Sequence, residues 1–592
     1  MSDGLYSSAN SRGLPPSAEV VLGPASAAVP GAPLLDQESL PPQEIPADQP
    51  SGGGSLLRSS AVMAVGTLAS RVTGFLRSTL LVAALGTGAL GDVFNTANTI
   101  PNIVYDVLIG GVLTAAHVPL LIRARNRSEK YGEEFEQRLF TVLLGALAAI
   151  TLVAMAASTL LINLYAGKFT ATQHRLAVTF LLFFLPQIFF YGFAAVASAS
   201  LNSRNRFAAP MWTPVLNNLV VIGVLVAFMV TTHGHLDDTT ITNGQVTFLG
   251  IGVTAGVAAQ ALGLIPSMRK LGFNFRPRFD FRRAELTQMW GMASWTLLYV
   301  VAQQVALVVY TNLANAAGAR GSKVLHLDHG IGLTPWTNAY AFFQLPYAVV
   351  AISIITAILP RMTQSAAEGR FDRLAAELRE GVRLSLSLML PAVALLFGAA
   401  GEIAFVLFAH GETNAAGAEV IAQVLRVFAI ALTPFTVLQL LQRGFYALAD
   451  TRTPALIAIF STATGAISAL ILANVLDTQH VIMGIAAAQG ISWTVGCVVS
   501  VVLLRRRLGR LGGREIVGLV GKAGVCSLAA LIVAELLHVF LGSHAQSSFV
   551  MSALVLILQG VLGGGAFLLF ATVLRVPEVN QVIGMLRRKL GR

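Results

Sequence analysis

Long apolar stretches dominate this chain and set the limits of its fold. From about Ser59 onward, apolar runs of 20 to 30 residues alternate with short polar breaks. A helix that spans a bilayer needs about 20 apolar residues, so each run is long enough to cross once. The predicted spans are 59–84, 92–119, 139–166, 172–201, 210–232, 247–268, 287–314, 334–360, 384–409, 417–447, 453–476, 481–504, 523–541 and 550–574.

The composition excludes the alternative of several soluble domains. Of the 592 residues, 55% are hydrophobic and 12% are charged, whereas soluble domains carry roughly 25% charged residues. The sequence therefore predicts an all-α polytopic membrane protein with fourteen transmembrane helices.

The positive charges give an independent test of this topology. With the N-terminus inside, 32 of the 40 Lys and Arg residues fall on the cytoplasmic side, 4 outside and 4 within spans. Cytoplasmic loops of membrane proteins are enriched in Lys and Arg, so we expect both termini to be cytoplasmic in a bacterial plasma membrane. The net charge of +11 is thereby explained by topology, and no nucleic-acid partner is expected.

Residues 1–55 differ in composition from the rest, being rich in Pro, Ala, Ser and Gly. Such a segment buries too little apolar surface to order itself, so we predict a disordered cytoplasmic tail. The two cysteines, Cys497 and Cys526, lie in apolar stretches and predict neither a disulfide framework nor a zinc site. Without a P-loop or a catalytic triad pattern, the sequence predicts no enzyme and no cofactor, other than a coupling ion or the membrane potential.

Three sequence patterns recur at nearly constant spacing. The Leu-Pro of span 8 follows the Ile-Pro of span 2 by 245 residues, Pro360 follows Pro119 by 241, and Pro454 follows Pro210 by 244. The pattern predicts two parallel six-helix halves, 56–270 and 271–507, followed by an appended helix pair and a short basic tail in 508–592. Transporters commonly bind substrate between such halves.

Two arginines lie deep in span 1. Arg71 is at the middle of the span and Arg77 follows six residues later; a charge there is costly and needs a local reason. The functional interpretation is a water-filled cavity that binds a phosphate-bearing anion. The structural alternative is an arginine paired to a neighbouring carboxylate or carbonyl.

Span 2 carries a polar stripe, whose members repeat every three or four residues and so share one helix face. The stripe either lines a cavity or joins helices. Its members are Asp92, Asn95, Asn98, Asn102 and Asp106.

Weaker candidates lie near span ends. We expect Arg443 to anchor the loop that holds Asp450 and Arg452, and Arg426 to reach the nearby membrane surface. His538, near the end of span 13, is expected to be interfacial.

Several motifs resemble the MurJ (MviN) family. Span 1 contains Ser-Arg-Val-Thr-Gly-Phe-Leu-Arg ending at Arg77, and span 2 contains Pro101-Asn102. The likeness continues at the span 4–5 turn and is strong after span 10; the residues that carry it are Asn202, Arg206, Pro210, Asp450, Arg452 and Pro454.

This resemblance implies a member of the MOP exporter superfamily that moves lipid II, the undecaprenyl-pyrophosphate-linked disaccharide-pentapeptide of peptidoglycan, from the inner to the outer leaflet. It implies that Arg71 and Arg77 line a central cavity suited to the pyrophosphate, and that Asn102 is the asparagine of the family's Pro-Asn motif. From the polar stripe itself we add Asp92, Asn98 and Asp106 as candidate substrate-binding residues. It assigns a structural or gating role to the motif around Asn202 and to the motif that includes Arg443.

The chain departs from the family pattern at two places. Many relatives follow Pro-Asn with an arginine pair, where this chain has Tyr105 and Asp106, and they carry Asp-Arg in span 8, where it has Tyr340 and Ala341. It resembles an actinobacterial-type variant in this respect.

Other functions stay open on the residues alone. The chain could export another lipid-linked glycan or a drug by the same mechanism. An integral-membrane enzyme acting on polyprenyl phosphates would need clustered acidic or His residues, and only Asp237-Asp238 fits. A scaffold that recruits cell-wall synthesis or regulatory proteins through its cytoplasmic loops would not need Arg71.

Overall fold

The computed structural model describes eight segments of the chain, which are 53–107, 128–204, 206–232, 235–273, 275–280, 283–327, 329–545 and 548–579. The predicted tail, apart from its last three residues, and the end of span 2 lie outside these segments. Within them the regular structure is entirely helical, so the predicted all-α class is confirmed.

The described residues of the first half form nine helices in chain order. They are α1 (Gly53–Leu85), α2 (Ala89–Val107), α3 (Glu129–Ala156), α4 (Ser158–Ala166), α5 (Ala171–Phe184), α6 (Gln187–Asn202), α7 (Ala208–Thr231), α8 (Asn243–Leu262) and α9 (Ile265–Lys270).

The second half contains eight helices, and three more follow it. They are α10 (Arg283–Lys323), α11 (Leu333–Pro346), α12 (Ile352–Ala367), α13 (Phe371–Gly398), α14 (Ala400–Phe408), α15 (Ala415–Ala447), α16 (Arg452–Val475) and α17 (Val481–Leu508), then α18 (Gly513–Ala545), α19 (Phe549–Leu558) and α20 (Gly564–Val573). A π-helical turn, Tyr347–Ala351, joins α11 to α12, and another, Gln559–Gly563, joins α19 to α20.

The predicted internal repeat is visible in helix lengths and breaks. Helices α3 and α13 have 28 residues each, and each is followed after one residue by a nine-residue helix, α4 or α14. Helices α7 and α16 have 24 residues each, and each carries a buried proline as its third residue. The two six-helix halves are therefore built to one plan.

Thirteen helical stretches among the described residues are long and apolar enough to cross a membrane. The predicted span 2 is described only as far as Val107, so the count of fourteen stays a prediction. Spans 3 and 9 each consist of two helices rather than one, because the chain leaves helical geometry at Ala157 and Ala399.

The connections divide the bundle into two ends. At one end, which we call the basic end, lie the turns between α6 and α7, between α15 and α16, and between α17 and α18, with Arg204, Arg452 and Arg505 to Arg507. At the other, which we call the opposite end, lie the turns between α1 and α2, α10 and α11, and α14 and α15.

The appended helices pack on the outside of the second half. Helix α18 lies against α13, and α20 lies against α18. Their remaining faces expose large apolar side chains such as Val517, Val539 and Phe540. An exposed apolar face this continuous is what a helix in contact with lipid requires.

Candidate functional site

A cluster of polar side chains from four helices lies inside the first half. Arg77 on α1 and Asp106 on α2 both interact electrostatically with Tyr191 on α6. Tyr191 is buried, whereas Arg71, Arg77 and Asp106 are half-buried. The structure thus brings together three of the residues that the sequence placed in a cavity, since Arg71 lies less than two turns from Arg77 on the same helix.

Helix α7 supplies a second set of polar groups to this cluster. Asn217, next to Tyr191, donates its amide to Gln260 on α8 at 3.2 Å. Asn218 donates to the Ser70 carbonyl and to the Thr73 hydroxyl, both at 3.1 Å. Asn218 therefore holds α7 against the turn of α1 that carries Arg71.

Close approach at that point depends on a glycine. A Cβ placed on Gly74 would lie 3.3 Å from the Asn218 amide nitrogen, tighter than ordinary van der Waals contact. The sequence analysis did not identify Tyr191, Asn217 or Gln260. The adjacent Asn217 and Asn218 in the apolar predicted span 5 could have indicated Asn217, whereas no comparable pattern marks Tyr191 or Gln260.

The polar stripe of α2 has two different roles along its length. Asn102 donates to the carbonyl of Asn98 at 2.9 Å, and its own carbonyl oxygen is buried with no partner among the described residues. With Asp106, these residues face the interior of the first half. Asp92 and Asn95, at the other end of α2, contact the second half instead.

Asp92 caps a helix of the second half. Its carboxylate Oδ1 accepts the backbone N–H of Thr334 at 2.7 Å, and Asn95 donates to the Thr334 hydroxyl at 2.9 Å. The residue at the N-cap position of α11 is Gly332, which has no side chain with which to cap. The negative charge at the N-terminus of α11 is favourable because the helix dipole is positive there.

Two glycines make room for this carboxylate. A Cβ on Gly332 or Gly318 would overlap Asp92 Oδ2. Asp92 itself is 3% exposed, so water does not replace the contact. The sequence grouped Asp92 with the substrate-binding residues, whereas the structure places its carboxylate on α11.

Further hydrogen bonds join the two halves at the same opposite end. Ser78 donates to Asn338 at 2.7 Å, Asn315 donates to the Thr96 hydroxyl at 2.9 Å, and the Glu412 N–H donates to the Ala83 carbonyl at 2.8 Å. We call this set of contacts, together with Asp92–Thr334, the latch.

The motif at the α6–α7 turn lies at the basic end. Asn202 is buried, and neither atom of its side-chain amide has a partner among the described residues. Arg206 is exposed, and Pro210 is buried in the first turn of α7. The three residues therefore do not converge on the arginines of α1.

The corresponding motif of the second half forms a tight cap. Thr453 donates its N–H and its hydroxyl to the carboxylate of Asp450 at 2.9 and 2.6 Å, and Arg507 pairs with the same carboxylate at 2.5 Å. Burial opposes ionisation, but these hydrogen bonds and the Arg507 charge outweigh it, so the pKa of Asp450 lies below its ordinary value. Arg452 is exposed and Pro454 is buried.

Arg443 has a different environment from the loop that it was expected to anchor. Its guanidinium lies over the ring of Tyr446, with the carbon 5.6 Å from the ring centroid, and it also faces Tyr299 on α10. The side chain is buried and its Nε has no hydrogen-bond partner among the described residues.

The middle of the second half is aromatic at the position where the family resemblance led us to expect an Asp-Arg pair. Tyr340 is fully buried and packs against Trp336, Phe343, Phe428 and Trp493. Ala341, beside it, is also buried. No cluster of three metal-binding side chains occurs in the described segments. Tyr340 and Ala341 thus supply no positive charge to this part of the second half.

Comparison with known proteins identifies a family that the chain matches. The family model described as lipid II flippase MurJ matches residues 81–555. A probable lipid II flippase MurJ of Rhizobium meliloti (strain 1021) is 28% identical over 556 residues, covering 91% of this chain and 97% of the relative. A lipid II flippase MurJ of Burkholderia cenocepacia is 27% identical over 413 residues, covering 68% of this chain and 76% of the relative.

Solved structures show the same fold. One is a lipid II flippase MurJ in an inward closed conformation, with a TM-score of 0.68 and 19% identity, covering 90% of this chain and all of that one. Another is an inward-facing multidrug resistance MATE family transporter of the MOP superfamily, with a TM-score of 0.61 and 16% identity. The match covers 75% of this chain and 96% of that one. Taken with the repeated halves and the motifs of α1, α2 and the α15–α16 turn, the match over residues 81–555 shows that the chain belongs to the lipid II flippase MurJ family.

Proposed function

We propose that this protein moves lipid II from the inner to the outer leaflet of the bacterial plasma membrane by alternating access of its two halves. In this proposal Arg71 and Arg77 bind the pyrophosphate at mid-membrane depth. Arginine suits this task because its planar fork of N–H donors pairs with phosphate oxygens in two places at once. Asn102 and Asp106, on the facing helix, contact the neutral parts of the headgroup.

The uneven placement of contacts between the halves carries this proposal. The latch joins α1 and α2 to α11, α10 and the α14–α15 turn at the opposite end. At the basic end no described ion pair joins a helix of the first half to a helix of the second. The pairs there stay within one half, join the second half to α18, or tie the segment before α10 to α3; they include Arg204–Glu136, Arg507–Asp450, Arg383–Glu515, Arg138–Asp280 and Arg278–Glu134. Two halves held together at one end only can separate at the other.

The distribution of positive charges indicates which end of the bundle faces the cytoplasm. If the basic end is cytoplasmic, as the positive-inside rule indicates, the latch closes the outer face and the arginines of α1 are reached from inside. That is the loading state of a flippase whose substrate is made at the cytoplasmic leaflet. Release then requires the latch to open and the basic end to close.

The test is depletion of the protein in its host with rescue by variants, followed by measurement of which leaflet holds lipid II. The native chain restores lipid II in the outer leaflet, whereas Arg71→Ala and Arg77→Ala leave it inside. Arg175→Gln is the matched control, since Arg175 is an exposed arginine of α5 near the opposite end.

Two results would contradict the proposal. If depletion leaves the leaflet distribution of lipid II unchanged, the protein is not the flippase. If Arg71→Ala and Arg77→Ala rescue as well as the native chain at equal protein levels, the protein flips lipid II without using this cluster.

A further inference from the structure

A second group of ionisable side chains lies within the bundle, away from the arginines of α1. Glu402, in the first turn of α14, is 3% exposed, and its Oε1 lies 2.6 Å from Nδ1 of His538 on α18. Its other oxygen, Oε2, is buried with no hydrogen-bond partner among the described residues. A buried carboxylate with one orphaned oxygen is costly unless it carries a proton or a pairing charge.

The contact itself requires a proton between the two groups. An imidazole nitrogen and a carboxylate oxygen both present lone pairs, so a separation of 2.6 Å is favourable only when a hydrogen lies between them. Either Nδ1–H donates to an ionised Glu402, or a protonated Glu402 donates to Nδ1.

The surroundings favour the second state when one further proton arrives. Arg426 of α15 lies beside the pair, because a Cβ on Gly401 would be 3.4 Å from His538 Cε1 and 3.6 Å from Arg426 Nη2. A guanidinium this near opposes a second positive charge on the imidazole. A proton that binds His538 at Nε2 is therefore passed on, and the Nδ1 proton moves to Glu402 Oε1.

The other elements packed around the pair add few charges. Glu419 on α15 accepts from Arg426 at 3.2 Å, and Glu535 lies one turn before His538 on α18. Helix α19 and the last two turns of α13 and of α1 contain no ionisable residue. Arg426 is thus engaged by Glu419, which leaves it less able to balance a negative charge on Glu402.

The helix that carries Glu402 leads directly into the latch. Helix α14 is nine residues long, and the turn after it forms hydrogen bonds to the end of α1. There the Glu412 N–H donates to the Ala83 carbonyl at 2.8 Å, and the Thr413 hydroxyl donates to the Val82 carbonyl at 3.1 Å. A change of charge at Glu402 acts on a short rigid element whose far end holds the two halves together.

We propose that Glu402 and His538 form a proton-binding site that controls the latch. One proton enters at His538 Nε2 and one proton moves from Nδ1 to Glu402, so the pair gains a single proton and no other bond changes. When Glu402 is neutral, Arg426 stays on Glu419 and the latch is closed. Loss of the proton leaves a buried carboxylate that draws Arg426 from Glu419 and shifts α14.

The site would make the proton a coupling ion for the transport proposed above, and only that last step rests on the proposed function. Proton binding and its effect on the latch are properties of the fold. The experiment therefore reads conformation and not lipid movement.

The latch is observed with spin labels on Thr239, in the turn between α7 and α8, and on Ala416, in the first turn of α15, both exposed. The full chain is placed in nanodiscs after Cys497→Ala and Cys526→Ala. His235→Gln is included because His235 contacts Glu412 across the same gap at 2.6 Å. Label distances are compared at about pH 5.5 and about pH 8, values on either side of the usual histidine range.

We expect the ratio of the short to the long distance population to fall at least about threefold at the higher pH. Glu402→Gln, which mimics the protonated acid, keeps the short distance at both pH values, and His538→Gln removes the response. His480→Gln and Glu535→Gln, an exposed histidine of another turn and a neighbouring carboxylate, keep the native response.

The proposal is overturned if the native background shows no pH response, or if Glu402→Gln responds as the native chain does. Should Glu402→Gln fail to fold, His538→Gln decides the matter, since a retained response in that variant also overturns it. A chain that responds to pH here but does not flip lipid II contradicts the proposed function and leaves this site intact.

Discussion

The carboxylate of Asp92 on α2 caps the N-terminus of α11 through the backbone N–H of Thr334, 242 residues away in the chain. One half supplies the acid and the other supplies the helix end. The contact is buried and charge-assisted, and such hydrogen bonds contribute about 1.5–3 kcal/mol. In the proposed transport cycle, this contact is strong enough to favour the closed state of the opposite end.

Asp92→Asn should weaken the latch without unfolding the protein. Asparagine keeps an acceptor oxygen but loses the charge that the helix terminus favours, so we expect the closed population to fall about tenfold relative to the open one, equivalent to ~1.4 kcal/mol. Label distances between the α7–α8 and α14–α15 turns measure it. Asp238→Asn, in the exposed part of the first of these turns, is the control, and an equal effect of both changes would disprove the specific role of Asp92.

Gly332→Ala should open the same contact by steric overlap alone. The added methyl would occupy the position of Asp92 Oδ2, and the carboxylate must withdraw from Thr334. Gly518→Ala is the matched control, because a Cβ there meets nothing within 4 Å. Accessibility of a cysteine introduced at position 338 to a water-soluble maleimide, higher in the first variant only, is the measurement. Unchanged accessibility would show that the site tolerates the methyl.

Arg204→Ala should destabilise the basic end of the first half. Glu136 is fully buried and pairs with Arg204 at 2.7 Å, and it also accepts a hydrogen bond from the Ser200 hydroxyl. Removing one member of a buried pair leaves an uncompensated charge and costs about 3–5 kcal/mol. A lowered thermal midpoint, restored in large part by adding Glu136→Gln, would confirm this, and Arg206→Ala, an exposed arginine two residues on, should have little effect.

The Asp450 cap should make stability depend on pH in the acid range. Because the pKa of Asp450 is lower in the folded protein than its ordinary value of 3.8, its contribution is complete above that value. It is lost as the pH falls through the lower folded pKa. Thermal midpoints measured from about pH 6 to about pH 3 should therefore decline less steeply in Asp450→Asn. Arg507, which is half exposed, contributes under ~1 kcal/mol.

The fold was largely predictable because a bilayer imposes helix length and charge imposes direction. The repeat at 241 to 245 residues predicted two halves, and helices α7 and α16 begin 244 residues apart. The breaks at Ala157 and Ala399 were not predictable, since neither a proline nor a polar residue stands at these positions.

The site was predictable only in part. A charge in mid-span is visible in any sequence, which is how Arg71 and Arg77 were identified. Asp92 was assigned to the same cavity because a polar stripe shows which residues share a face, not what lies opposite. Tyr191 and Glu402 were missed. The role of a single polar residue in an apolar run depends on its partner on a distant helix, and the sequence does not show which helices are neighbours.

Asp92 also shows where the two halves stop being copies. The residue one repeat after Asp92, at a spacing of 244, is Trp336, which is fully buried among aromatic rings. Gly332, by contrast, has a counterpart at that spacing in Gly88. The repeat thus preserved the glycine before the helix but not the acid, so the second half holds no equivalent carboxylate that could compensate for a substitution at Asp92.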